Sequence, residues 1–167
     1  MQLDGHVTLV TGASRGIGRG IATHLADQGA VVIGTATGES GVERIADDLR
    51  DRPNPGAGRV LDVRDGQAVR DLVNSIAAEF GAVQILVNNA GISRGGLLRQ
   101  LSEENWDAVL DTNLKAVWRV AAEAANRMIA ASAKLLWKAS RPPRRIVELP
   151  LFKQRTAQSI VTFGRDS

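Results

Sequence analysis

Apolar residues along this chain follow two alternating patterns. Four short runs read as strands: Val7 to Val10, buried on both faces, Ala30 to Gly34, also buried, Gly58 to Val63 and Gln84 to Val87. Between them, apolar positions recur three or four residues apart. Gly16 to Gln28 carries Ile17, Ile21 and Leu25 and stops at Gly29. Gly41 to Arg50 carries Val42, Ile45 and Leu49, and Gln67 to Phe80 carries Val69, Leu72, Val73 and Ile76. These spacings place the apolar side chains on one face of a helix. After Ser102-Glu103-Glu104 a longer helical pattern runs through Trp106, Val109, Leu110, Leu114, Val117 and Val120. Strands alternating with helices predict right-handed βαβ units and a parallel sheet. The fold class is therefore α/β, a Rossmann-type doubly wound parallel sheet, expected to be incomplete at its C-terminal half because only four strands are clear.

The regularity stops near residue 132. Ser140-Arg141-Pro142-Pro143-Arg144-Arg145 breaks any regular element, Arg145 to Leu149 reads as a short strand, and no period is visible beyond Phe152. Charge changes at the same point. Residues 132–167 hold eight basic against two acidic side chains, whereas residues 1–131 are mildly acidic. We divide the chain into a Rossmann domain over 1–131 and a basic divergent tail over 132–167, expected to be a poorly ordered extension. The coincident loss of pattern and change of charge reads as a truncated or frame-altered gene. An alternative takes Lys134, Trp137, Lys138, Arg141, Arg144 and Arg145 as a patch for nucleic acid or an acidic partner, with no nucleic-acid-binding motif to support it.

Composition removes several other chemistries. The chain has no cysteine, and His6 and His24 make no metal-ligand spacing, so no metal site is expected. No apolar run approaches the ~18 residues of a membrane span, and the first residues lack the basic start and apolar stretch of a signal peptide. A cytoplasmic location without membrane partners is expected.

One loop carries recognisable chemistry. Thr11-Gly12-Ala13-Ser14-Arg15-Gly16-Ile17-Gly18 lies between the first strand and an amphipathic helix, the context of a phosphate-binding turn. Gly12 suits the tight turn, Gly16 a close backbone approach to a pyrophosphate, and Gly18 close packing of the helix. The helix N-terminus would hold the anion. The second strand ends in Thr35-Ala36-Thr37-Gly38, without the carboxylate that would accept from an NAD ribose, while Arg15 suits a 2′-phosphate. The expected cofactor is NADP(H).

The glycine loop, Asp62-Val63, Asn88-Asn89-Ala90-Gly91 and Asn113 together resemble the short-chain dehydrogenase/reductase family. Val32 to Thr37, Ile85 to Ile92 and Asp111 to Leu114 are similar to its bacterial 3-oxoacyl-[acyl-carrier-protein] reductases, and the likeness runs from about Leu3 to Val120. The resemblance implies NADPH-dependent reduction of an acyl-carrier-protein thioester. It implies that Gly12, Ala13, Ser14, Arg15, Gly16, Ile17, Gly18 and Thr37 hold the phosphates and ribose. Asp62 would accept from the adenine amino group beside Val63, Asn89, Ala90 and Gly91 would line the cofactor, and Asn113 would hold a water of the proton relay. It further implies homo-oligomers whose interfaces use the long helix and the helix after it; no such following helix is recognisable in this sequence, so the same assembly is not expected of it. The family's reduction uses a Ser, and a Tyr with a Lys four residues later, as polariser and proton donor. The chain contains no tyrosine. Catalysis is therefore not expected of these residues, and a non-catalytic NADP(H)-binding remnant or partner module is the alternative reading.

Overall fold

A computed structural model of the chain describes residues 3–94, 99, 101–139, 147–148 and 160–163. The four predicted strands all form, the third shorter than its apolar run. They are β1 (Val7–Val10), β2 (Val31–Ala36), β3 (Ala57–Val60) and β4 (Ile85–Asn88), joined by α1 (Gly16–Asp27), α2 (Glu39–Arg50) and α3 (Gly66–Glu79). All four are parallel, with Val7 opposite Val31, Thr8 opposite Ile85 and Ile33 opposite Ala57. Their order in the sheet, β3-β2-β1-β4, reverses direction at β1. That reversal opens a crevice at the C-terminal ends of β1 and β4, where ligands bind in open α/β sheets.

Alternate strand residues feed two cores. Val10, Val32, Ile85 and Val87 pack with Ala22, Ala26, Ile45 and Leu49 under α1 and α2. Leu9, Ile33 and Leu86 pack on the other face with Val69, Leu72, Val73 and Ile76 of α3. Burial on both faces is why these strands read as continuous apolar runs. Helix α3 is stopped from fraying by Asp65, whose carboxylate accepts from the backbone N–H groups of Gln67 (2.8 Å) and Ala68 (3.1 Å).

The long helical pattern is broken into α4 (Glu103–Leu110), a π-helical turn (Asp111–Lys115) and α5 (Ala116–Ala139). The apolar positions of this pattern do not share one buried face. Trp106, Leu110 and Leu114 are 53%, 38% and 63% exposed, and α4 buries no residue. The inward face of α5 is instead Ala116, Val120 and Ala124, packed on the cluster that holds Leu86. A π-helical turn inserts a residue relative to α-helical phase, so a stripe regular through α4 does not continue into the core face of α5. Alanine on the inner face also lets α5 approach closely.

Two further strands come from the C-terminal region. β6 (Ile160–Phe163) pairs antiparallel with β4, Ile85 opposite Phe163 and Asn88 opposite Ile160, and β5 (Val147–Glu148) pairs antiparallel with β6. β6 thus covers the edge of β4. The strand expected at Arg145 to Leu149 shrinks to two residues and lies one position further out. α5 continues through residue 131, the expected domain boundary, to Ala139. The expectations for the side chains of Lys134, Trp137, Lys138, Arg141, Arg144 and Arg145 lie outside the described residues.

Candidate functional site

The glycine loop connects β1 to α1 at the crevice. Gly12 and Gly16 have φ of 66° and 56°, a left-handed conformation that L side chains adopt at a cost. At Gly12 the space is also closed, since a Cβ would lie 2.9 Å from the Ala90 Cα. At Gly16 a Cβ would meet nothing within 4 Å. Gly16 therefore turns the backbone and leaves open room in front of the helix start. Gly18 is required for a different contact than expected: a Cβ there would collide with the Asn89 amide and the Gly12 carbonyl, so it packs α1 on the loop's own floor.

That floor is a hydrogen-bonded bridge between β1, β2 and β4. Asn89 Nδ2 donates to the carbonyls of Thr11 and Gly12, each at 3.0 Å. Thr11 Oγ1 accepts from the backbone N–H groups of Asn89 and Ala90, both at 3.0 Å. From β2, Thr35 accepts from Gly12 N–H through Oγ1 (3.3 Å) and from Ala13 N–H through its carbonyl (2.8 Å). Thr11 and Thr35 are each 1% exposed, so these bonds replace water that the hydroxyls have lost. The N–H groups of Gly12 and Ala13 are spent inside the fold. Those of the first turn of α1 have no intrahelical partner, and no side chain caps them. Helices α3 and α4, by contrast, are capped by Asp65 and Ser102. The N-terminus of α1 keeps its donors and its positive dipole end facing the crevice.

Around that donor set lie the remaining predicted residues. Arg15 is exposed, extended at the cap position of α1, and takes part in no ion pair among the described residues. Ile17, 56% exposed, occupies the first turn beside it. Ser14 and the end of β2 meet at Gly41, where a Cβ would lie 2.6 Å from Ala36 Cβ and 3.2 Å from Ser14 Cβ. Thr37, exposed, follows directly, so Ser14 and Thr37 flank one point of the rim. Strand β3 ends at Val60, earlier than predicted, which puts Asp62 and Val63 in the turn beyond it; Val63 is buried and Asp62 is half-exposed. Arg64, bound to Asp62, holds its carboxyl below the ordinary carboxylate range, against a smaller opposing effect of burial.

On the β4 side, Gly91 leads to Ile92, whose backbone is gripped by Asn113. Asn113 Oδ1 accepts from Ile92 N–H (2.9 Å) and Nδ2 donates to Ile92 C=O (2.8 Å). The side chain thus pins the segment after Gly91 to the π-helical turn. The structure brings the loop, Thr37, Asp62, Val63 and Asn89 to Gly91 to one edge of the sheet, with Asn113 behind. Thr11 and Thr35 are the site-building residues that sequence reasoning passed over. Their signal was a threonine inside an otherwise apolar buried run. Asn88, next to Asn89, is 2% exposed, and its Nδ2 has no hydrogen-bond partner among the described residues.

The sequence profile of short chain dehydrogenases matches residues 6–135. Over 120 residues the chain is 49% identical to the 3-oxoacyl-[acyl-carrier-protein] reductase FabG of Vibrio cholerae, which covers 72% of this chain and 48% of that protein. The FabG protein of Escherichia coli K12 matches with the same identity and coverage. A crystal structure of a short-chain alcohol dehydrogenase from Sinorhizobium meliloti superposes with a TM-score of 0.74 at 36% identity, covering 78% of this chain and 52% of that one. A short-chain dehydrogenase/reductase variant from Serratia marcescens superposes at 0.72 and 32% identity, covering 76% of this chain and 52% of that one. The chain spans about half the length of the relatives it matches.

Proposed function

The chain belongs to the short-chain dehydrogenase family, and from that premise we propose that its crevice is the NADP(H)-holding half of a reductase. The observation that carries the proposal is the uncapped N-terminus of α1, presented behind a glycine turn that Asn89, Thr11 and Thr35 hold rigid. A pyrophosphate there replaces solvent as acceptor for the free N–H groups of Gly16, Ile17 and Gly18, and the open side of Gly16 admits it. Ala13 and Gly12 contribute shape, since their N–H groups are occupied. Ser14 and Thr37 take the adenosine ribose, and the exposed guanidinium of Arg15 takes its 2′-phosphate. Thr37 stands where an NAD-binding site offers a carboxylate, so NADP(H) is preferred over NAD(H). Asp62 and Val63 take the adenine. Asn89 to Gly91 form the wall against which the ring system rests, kept in place by the grip of Asn113 on Ile92.

When bound, the dinucleotide supplies a hydride to a carbonyl carbon, and the oxygen then requires a proton donor. By the names of its relatives the carbonyl substrate is a 3-oxoacyl thioester on acyl carrier protein. These 167 residues contain no tyrosine to serve as that donor. We assign them nucleotide binding without turnover, the non-catalytic reading, and the whole-protein activity to the relatives. NADP+ is expected to raise the melting temperature more than NAD+ does, while NADPH oxidation with an acetoacetyl thioester stays at background. No thermal shift with either nucleotide overturns the binding assignment, and thioester-dependent NADPH oxidation overturns the non-catalytic one.

A further inference from the structure

The turn between β3 and α3 holds a contact that nucleotide binding does not require. Arg64 folds back over Asp62. Its Nε donates to both carboxylate oxygens, at 3.0 and 3.1 Å, and Nη2 donates to Oδ2 at 2.6 Å. The Arg64 backbone N–H adds a fourth contact, to Oδ1 at 2.9 Å. An ionised carboxylate offers about four lone-pair sites. Three N–H hydrogens, that of Nε shared between the two oxygens, thus give each oxygen two donors and leave Asp62 little acceptor capacity for an incoming amino group.

The turn that carries this pair is fixed on several sides. Asp65 N–H donates to the Asp62 carbonyl at 3.0 Å, and the Asp65 side chain caps α3. Arg119, on α5, donates from Nη1 to the Arg64 carbonyl, and its side chain lies over Gly66, where a Cβ would come within 3.1 Å of Nε. What can move is the Arg64 side chain, which is 54% exposed. Besides Asp62, the acidic group acting on the Arg64 guanidinium is Asp111 at the start of the π-helical turn, and Asp111 is itself 3.3 Å from Lys115 Nζ. Asp62 is the stronger partner of the two, so the guanidinium rests on it.

We propose that Arg64 is a specificity-determining residue at the base end of the crevice, acting by occupying Asp62. This rests on the NADP(H) reading above. A base with an exocyclic amino group gains its hydrogen bond to Asp62 only as Arg64 releases at least one oxygen. A base with a carbonyl in that position needs no such release, and the N–H groups of Arg64 can donate to it. The resting pair thus lowers affinity for adenine relative to hypoxanthine, and Arg64 is a positioning residue for Asp62.

The test compares binding of NADP+ and of its hypoxanthine analogue, by calorimetry, to the wild type, R64A, D62N and the double variant. Exposed ion pairs are weak, so R64A is expected to tighten NADP+ by about twofold to fivefold. It leaves the hypoxanthine analogue unchanged or weaker, and in the D62N background the gain disappears. A second readout needs no nucleotide: the Asp62 carboxyl, followed by carbon NMR, titrates at higher pH in R64A than in the wild type. R64A binding NADP+ no more tightly than the wild type, or an Asp62 titration that ignores the substitution, overturns the proposal while leaving NADP+ binding intact. Absence of NADP+ binding in wild type and variants alike instead overturns the nucleotide reading, and this proposal with it.

Discussion

Replacing Asn89 by alanine tests the floor of the crevice directly. The substitution deletes one NH2 group that donates to two backbone carbonyls, Thr11 and Gly12, each at 3.0 Å. Both acceptors sit in a half-buried turn where water replaces the lost donor poorly. At about 0.5–1.5 kcal/mol for each net hydrogen bond, the loss is about 1–3 kcal/mol. For a chain of this size that corresponds to roughly 3–9 °C in melting temperature. Urea unfolding followed by far-ultraviolet circular dichroism gives the value, with an unchanged m if the unfolded state is unaffected. Asn89→Asp keeps the shape but turns a carboxylate oxygen toward the same two carbonyls, so it costs more than alanine. The neighbouring residue is the internal control: Asn88 Nδ2 is buried without a partner among the described residues, so Asn88→Leu, similar in shape, removes that donor and leaves stability equal or higher. NADP+ binding falls with Asn89→Ala beyond what stability alone accounts for, because the turn carbonyls no longer hold their positions. A stability change under about 0.5 kcal/mol, the range of an ordinary surface substitution, refutes the bridging role.

Two glycines of the same loop are expected to separate folding from binding. Gly16→Ala costs about 1–2 kcal/mol for its left-handed backbone alone and yields folded protein, but NADP+ no longer shifts its melting temperature because the new methyl occupies the open approach. Gly12→Ala adds a collision with the Ala90 backbone to a similar strain, and equal stabilities for the two variants would contradict the geometry. Acid stability should reflect Asp48 as well as Asp62. Arg19 donates to Asp48 through Nε and Nη2, both at 2.7 Å, and holds that carboxyl below its ordinary range, chiefly by these hydrogen bonds. A folded pKa below the unfolded value, about 3.9, gives stability that is complete above it and lost as pH falls through the folded value. Arg19→Gln is therefore expected to flatten the acid limb of the stability curve, and an unaltered limb counts against the pair.

The part of the fold that lines the crevice was legible because its signals are local. Val7 to Val10 followed by a glycine-rich turn and a period of 3.6 specifies strand, loop and helix within twenty-five residues. Thr37 in place of a carboxylate can be read from one position. The floor beneath the loop was less legible. Asn89 and Thr11 stand 78 positions apart, and only the parallel pairing of β1 with β4 brings them into contact. That Trp106, Leu110 and Leu114 stand exposed was not legible, for a related reason. Amphipathic spacing establishes that apolar residues share a face, but not which way that face turns once a π-helical turn shifts the phase.

What the sequence by itself determined was the α/β alternation, the glycine turn at the start of α1 and the chemical character of the rim. Each depends on backbone preferences and burial patterns that act over a few residues. The tertiary structure alone decided three things: that Asn89, Thr11 and Thr35 build one hydrogen-bonded floor, that β6 runs antiparallel along β4, and that Arg64 covers Asp62. The floor and the strand pairing join residues far apart in the chain. The Arg64 contact joins neighbours, but it depends on a turn anchored by Asp65 and, from α5, by Arg119. Residue type offers a hydrogen bond in each case, and the folded backbone selects the partner that takes it.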